Sequence, residues 1–247
     1  MTIVVAHRGA STAAPENTME AYRLAVEQGA DAIELDVHLT ADGQLVVIHD
    51  ETLERTTDGT GAVLDHTMDQ IRALDAGATF AGGDGSFRHR GRGLAVPSLP
   101  DVIEWLPAGI GLVIEIKARA AVDEVIRLLR EAPDARERAS VISFDEQAIQ
   151  RSRELDPDLP TGLLLVPSDS FERGLVWVTE HGHAAVHPWD GDLGVDPTPL
   201  ISQATAYGCR VGCYVVNQPD RMQQLAAAGL WAFVTDVPEV ARQALPR

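Results

Sequence analysis

The chain has 247 residues, 45% of them apolar and 23% charged, the profile of one large globular domain with a substantial core. Its formal net charge of −17 excludes a general nucleic-acid or anionic-membrane surface, yet leaves room for a small anionic substrate held where the local sign reverses. No run approaches the ~18 apolar residues of a membrane span, and no secretory leader is read at the start.

In chain order, apolar runs rich in Val, Ile and Leu alternate with segments of helical spacing. Strands are expected at 3–6, 32–38, 111–116, 139–143, 161–165, 184–187, 210–215 and 232–235, with helices at 122–130, 146–155, 171–180 and 222–228. Strands separated by single helices pair in parallel with the helices outside. Eight such units predict a closed (β/α)8 TIM barrel whose chemistry sits at the C-terminal ends of the strands, with an open doubly wound sheet as the alternative. The first helix is expected to be capped by Asn17, with Glu20 at the capping-box position and Gly29 at its end. Residues 50–107 form a long connection between the second and third of these strands. They read as a small insertion with one helix near 68–74, inside a single domain spanning 1–247. Cys209 and Cys213 lie on one side of an expected strand, too far apart for a disulfide. Reduced core thiols and a cytoplasmic location follow.

In "AIELDVHLTADG", Glu34, Asp36 and His38 alternate with Ile33, Leu35, Val37 and Leu39. On a strand this pattern sends the polar set to one face and the apolar set to the other. An exposed edge strand and an inward acidic face account for that segment equally well. "GLVIEIKA" repeats the alternation with Glu115 and Lys117 and favours the inward reading, with a plain Glu115–Lys117 ion pair as the alternative. Glu34, Asp36 and Glu115 make an all-oxygen set suited to a hard divalent cation, Mg²⁺ or Ca²⁺, with Mn²⁺ also admissible.

The first strand stops at His7-Arg8-Gly9, and the run "QLVVIHD" stops at His49. Two histidines delivered to loop mouths near an acid cluster form an acid/base pair. Arg8 and Lys117 suit phosphate oxygens, Arg8 through its planar fork and Lys117 as a point charge. Together with a divalent metal these are the parts needed to cleave a phosphate ester. His38 is expected to support the site and His187 to line its mouth. His66, His89, His181 and His183 read as loop or helix-end residues.

These residues resemble the glycerophosphodiester phosphodiesterase family. The likeness is carried by "HRG" at 7–9, "PENT" at 15–18, "GADAIELDVHLTADG" at 29–43 and "VVIHDETLERTTDGTG" at 46–61. It continues through "LDAG" at 74–77, "IEIK" at 114–117, "SF" at 143–144, "VN" at 216–217 and "TDVP" at 235–238. The resemblance implies a TIM barrel with a small insertion after the second strand. It also implies metal-dependent hydrolysis of glycerophosphodiesters, small anionic substrates, to sn-glycerol 3-phosphate and an alcohol, often through attack by the glycerol 2-hydroxyl and a cyclic phosphate. By that likeness Glu34, Asp36 and Glu115 match metal ligands, His7 and His49 the catalytic pair, and Arg8 and Lys117 the phosphate-binding cations. Glu16 is expected to orient Arg8. The chain departs from the family at "CYVVN", where Tyr214 takes a tryptophan's place, and at "GLWAFVTD", which carries Leu230 and Trp231. The insertion's "FRHRGRG" groups Arg88, Arg90 and Arg92, read either as a lid over a head group or as a solvated loop. A related barrel that stops at the cyclic phosphate and a non-catalytic binder of phosphorylated ligands are the competing functions.

Overall fold

Residues 1–245 are described in a computed structural model of the chain. The strands are β1 (Ile3–His7), β2 (Ala32–Leu39), β3 (Leu45–Val47), β4 (Gly111–Ile116), β5 (Ala139–Ser143), β6 (Thr161–Leu164), β7 (Ala185–His187), β8 (Arg210–Cys213) and β9 (Ala232–Thr235). Successive strands β4 to β9 pair in parallel, β2 pairs with β4, and β1 pairs with both β2 and β9. The sheet therefore closes into the expected eight-stranded parallel barrel with helices outside, and the open-sheet alternative falls. β3 is an addition, antiparallel to β2.

The period-two pattern decides what each strand puts inside. Ile33, Leu35 and Val37 of β2 join Leu112, Ile114 and Ile116 of β4 in a buried cluster with Tyr22, Leu99, Val102 and Val125 from surrounding helices. Burying such side chains contributes about 1.5–3 kcal/mol each. The alternate positions, Glu34 and Asp36, are thereby turned to the barrel interior, both almost fully buried. Cross-strand register sets their neighbours: His7 lies opposite Glu34, and Asp36 opposite Glu115.

The β2–β3 hairpin brings a second loop to the same end. The Thr40 hydroxyl accepts from Gln44 N–H at 3.0 Å, tightening the turn. β3 then runs back until Ile48 N–H donates to the Asp36 carbonyl at 3.1 Å, which sets His49 beside the acids. Val46 and Ile48 anchor the excursion beyond β3 through a small core with Leu53, Val63, Met68, Ile71, Ala76 and Val96. Its helix covers Met68–Arg72, closed at the start by a Thr67–Gln70 capping box. A further helix, Leu99–Trp105, packs into the main core rather than into the excursion.

The first helix, Met19–Glu27, is capped by Thr18, whose hydroxyl accepts from Ala21 N–H. Asn17, the expected cap, instead adopts a left-handed conformation at φ +55° and gives its side chain to the barrel interior. Cys209 and Cys213 are unpaired and buried. Among the described residues, no helix is long and apolar enough to cross a membrane.

Candidate active site

One ligand oxygen from each of Glu34, Asp36 and Glu115 lies within 4.8 Å of the others. Burial and the neighbouring carboxylates push Glu34 well above the usual carboxylate range, and Glu115 is raised for the same reasons. Burial pushes Asp36 up too, but the charges of Arg8 and Lys117 outweigh it and hold Asp36 below its ordinary value. The buried Glu34 Oε1 and Asp36 Oδ1 have no hydrogen-bond partner among the described residues. Three converging buried carboxylates, two of them with an orphaned oxygen and two pushed towards protonation by crowding, are the donor set a hard divalent cation fits.

Arg8 and Lys117 are drawn into this cluster. Arg8 Nε lies 3.1 Å from Asp36 Oδ2, and its Nη1 donates to Glu16 Oε1 at 2.8 Å. Lys117 Nζ donates to Glu115 Oε1 at 2.7 Å and stands 3.5 Å from Asp36. Burial works against both charges, yet the surrounding carboxylates raise both pKa values above normal, so both cations stay protonated. The Glu115–Lys117 ion pair is therefore real and is part of the acid cluster rather than an alternative to it.

The backbone is strained where it serves this geometry. Arg8 sits at φ +56°, a costly conformation for a side chain of its size, while its N–H donates to Glu34 Oε2 at 3.0 Å. Gly9 follows at φ +88°, and a Cβ there would lie 2.6 Å from the Ala21 backbone. The "HRG" turn is thus pressed against the first helix. Asn17 donates to Asp36 Oδ2 at 2.8 Å and accepts from the Tyr22 hydroxyl, so two left-handed residues converge on one carboxylate.

Each candidate imidazole has its own carboxylate. His7 Nδ1 lies 2.6 Å from Asp236 Oδ1, and His49 Nδ1 lies 2.6 Å from Asp50 Oδ1. An ionised carboxylate only accepts, so each Nδ1 carries the proton and Nε2 is left for proton exchange. Asp236 also receives Asn217 Nδ2 at 2.7 Å and Ser11 Oγ at 3.0 Å; burial would raise its pKa, but the His7 hydrogen bond and charge, helped by Asn217 and Ser11, bring it down to about 2. The Arg55 hydrogen bonds, with His49 assisting against burial, hold Asp50 far below the ordinary range. Burial lowers the His49 pKa more than Asp36 and Asp50 raise it, which favours its neutral form.

Arg55 ties the two halves together. Its guanidinium donates to both oxygens of Glu16, at 2.8 and 2.7 Å, and to both of Asp50, at 2.6 and 2.9 Å. A continuous chain of contacts therefore runs from His49 through Asp50, Arg55, Glu16 and Arg8 to Asp36. Glu16 does hold Arg8, as expected, and it holds Arg55 as well.

Sequence reasoning missed Asp236, Asp50, Arg55, Asn17 and Asn217 as site residues. Asp50 follows His49 directly, and Asp236 and Asn217 stand in the "TDVP" and "VN" motifs. Only barrel closure, though, shows that Asp236 meets a histidine 229 positions away. His38 donates from Nε2 to the His49 carbonyl at 3.0 Å, bracing that loop. The Tyr214 hydroxyl is spent on the Leu165 carbonyl, and its ring meets Phe144 edge-on at 5.8 Å. Phe144 in turn lies 6.0 Å from Lys117 Nζ, giving the mouth an aromatic wall. His187 is the exception: its ring lies beside Gly162 and Gly212, and it shares a cavity with Ile3, Ala32 and Ala232 from the starts of their strands. Its side chain lines the space at the opposite end of the barrel rather than the mouth. Arg88, of the insertion's cationic group, pairs with Asp84 within its own exposed loop.

Residues 7–240 match the glycerophosphoryl diester phosphodiesterase family. The chain is 35% identical to a glycerophosphodiester phosphodiesterase of Caldanaerobacter subterraneus, over 96% of this chain and 95% of that protein. It is 40% identical to a probable glycerophosphodiester phosphodiesterase 1 of Mycobacterium tuberculosis, over 87% of this chain and 82% of that one. Among solved structures it resembles a glycerophosphodiester phosphodiesterase from Agrobacterium tumefaciens, with TM-score 0.85, 31% identity, and 98% and 100% of the two chains covered. It also resembles an Oleispira antarctica phosphodiesterase solved with its product sn-glycerol-3-phosphate, with TM-score 0.86, 27% identity, and 100% and 98% covered.

Proposed function

Because the chain belongs to the glycerophosphoryl diester phosphodiesterase family and is a phosphodiester hydrolase, we propose that it converts glycerophosphodiesters to sn-glycerol 3-phosphate and an alcohol by metal-dependent acid/base catalysis. The observation that carries this reading is the meeting of two imidazole–carboxylate pairs with a three-carboxylate cluster at one end of one barrel.

Glu34, Asp36 and Glu115 hold the divalent cation in this reading, and Mg²⁺, Ca²⁺ and Mn²⁺ all suit an all-oxygen set. When bound, such an ion offsets negative charge on the phosphoryl oxygens. Arg8 and Lys117, charged and already at the cluster, add donors for the same oxygens. Glu16 keeps Arg8 from swinging away.

His7 and His49 divide the proton traffic. One Nε2 takes the proton of the attacking hydroxyl as the new P–O bond forms. The attacker is the glycerol 2-hydroxyl in a first displacement and water in a second, which opens the cyclic phosphate to sn-glycerol 3-phosphate. The other imidazole gives a proton to the departing alkoxide as the old P–O bond breaks. Asp236 and Asp50 fix the tautomers that leave Nε2 for these roles and stabilise the imidazolium that forms in between. A cytoplasmic setting accords with the unpaired, buried Cys209 and Cys213.

Phosphorus NMR of a glycerophosphodiester incubated with the metal-loaded protein tests the reaction. Accumulation of sn-glycerol 3-phosphate is expected. A persistent cyclic phosphate with no glycerol phosphate would make the chain a barrel that stops at the first displacement, and binding without turnover would make it a phospho-ligand binder.

A further inference from the structure

Barrel interiors are ordinarily filled by layers of bulky branched side chains. Here the end opposite the catalytic mouth holds a cavity of about 360 Å³, bounded above by Val5, Val113, Ile142 and Val234. Small residues at Ala32, Ala185, Gly212 and Ala232 leave this layer unfilled. For scale, an apolar cavity of about 150 Å³ accommodates benzene.

His187 lines this largely apolar space, whose lining also includes polar Ser140 and Thr161 and charged Glu137 and Arg210. His187 is 7% exposed, and its ring nitrogens have no hydrogen-bond partner among the described residues. Its position is built: a Cβ on Gly162 would lie 2.6 Å from Nε2, and one on Gly212 would lie 2.4 Å from Nδ1. Both strands beside it are glycine where the ring needs room. Burial lowers its pKa to about 4, so the ring is a neutral imidazole with one donor and one acceptor. Trp231 meets it edge-on at 6.3 Å, and the Arg210 guanidinium covers the outer side of Trp231 at 5.1 Å.

A charged ligand is disfavoured in this lining. The rim's Arg138 is occupied by the carbonyls of Pro107 and Ile110, and Asp31 by Arg242 and the Val4 N–H. A hydroxyl, which both donates and accepts, complements the ring. We propose that the base of the barrel is a second binding site, for a small neutral alcohol whose apolar body fills the cavity and whose hydroxyl hydrogen-bonds to His187.

The test uses the full chain at neutral pH with 1-hexanol and toluene as probes. Saturable movement of the assigned His187 ring resonances by 1-hexanol is expected in the wild-type protein. His187→Leu should weaken 1-hexanol binding about five- to tenfold, one hydrogen bond's worth, while toluene binds as well or better. Ala232→Phe, which fills the cavity, should abolish binding of both. Absence of a saturable shift up to the solubility of 1-hexanol overturns the proposal without any variant. Unchanged 1-hexanol affinity in His187→Leu removes the hydroxyl anchor and overturns it equally, as does unchanged binding in Ala232→Phe.

Discussion

Asp236 holds His7 at 2.6 Å across the seam where the last barrel strand meets the first. The contact joins the two ends of the fold and fixes the proton on His7 Nδ1. Asp236→Asn keeps the shape but lets the amide stabilise the wrong tautomer. Turnover should fall about 100-fold, with KM nearly unchanged and the metal still bound. Steady-state kinetics beside a metal titration checks this; a rise in KM alone would assign Asp236 to substrate binding.

Arg55 bridges Glu16 and Asp50 with paired bonds to each. Its side chain is 45% exposed, so its ion pairs are screened and add little to stability. Arg55→Lys cannot reproduce the planar fork. Roughly tenfold lower kcat with little change in melting temperature is expected, read by kinetics and calorimetry on the same preparation.

Glu34 and Asp36 should respond oppositely to neutralisation in metal-free protein. Glu34 is pushed towards its protonated form by burial and by Asp36 and Glu115. Glu34→Gln should therefore raise the metal-free melting temperature, by about 2–4 °C if 1 kcal/mol of repulsion is relieved, while abolishing stabilisation by added metal. Asp36→Asn strips the partner shared by Arg8 and Lys117 and should lower the melting temperature. Thermal melts with and without divalent ions separate the two.

His187 sets an acid limit on stability. Its folded-state pKa is lowered to about 4 by burial, against about 6.5 in an unfolded chain. Between these values the unfolded state binds a proton that the folded state does not, so stability falls as pH drops from about 6.5 towards 4. The contribution is at most about 3 kcal/mol. Denaturant unfolding across this window should show a shallower pH slope for His187→Leu than for wild type.

The barrel and its acid face were legible because period two is a local signal. "AIELDVHL" and "GLVIEIK" each show which residues face inward, and register then brings Asp36 opposite Glu115. What escaped is non-local. Asp236 meets His7 only through closure, and Arg55 reaches Glu16 only because the β2–β3 hairpin returns to the mouth. Asn17 looked like a helix cap because asparagine is a good one; Thr18 caps, and Asn17 adopts the left-handed turn that asparagine tolerates. His187 does end a strand, but Gly162 and Gly212 on the two flanking strands leave room for its ring on the side away from the mouth, a relation between three strands that no local pattern carries.

Hydrolysis of a glycerophosphodiester by protein stripped of metal, then resupplied with Mg²⁺, Ca²⁺ or Mn²⁺, tests the central claim most directly. Glu34, Asp36 and Glu115 predict that release of sn-glycerol 3-phosphate stops on stripping and returns with a divalent ion, but not in Glu115→Gln. Turnover undiminished in stringently metal-free buffer would contradict the account.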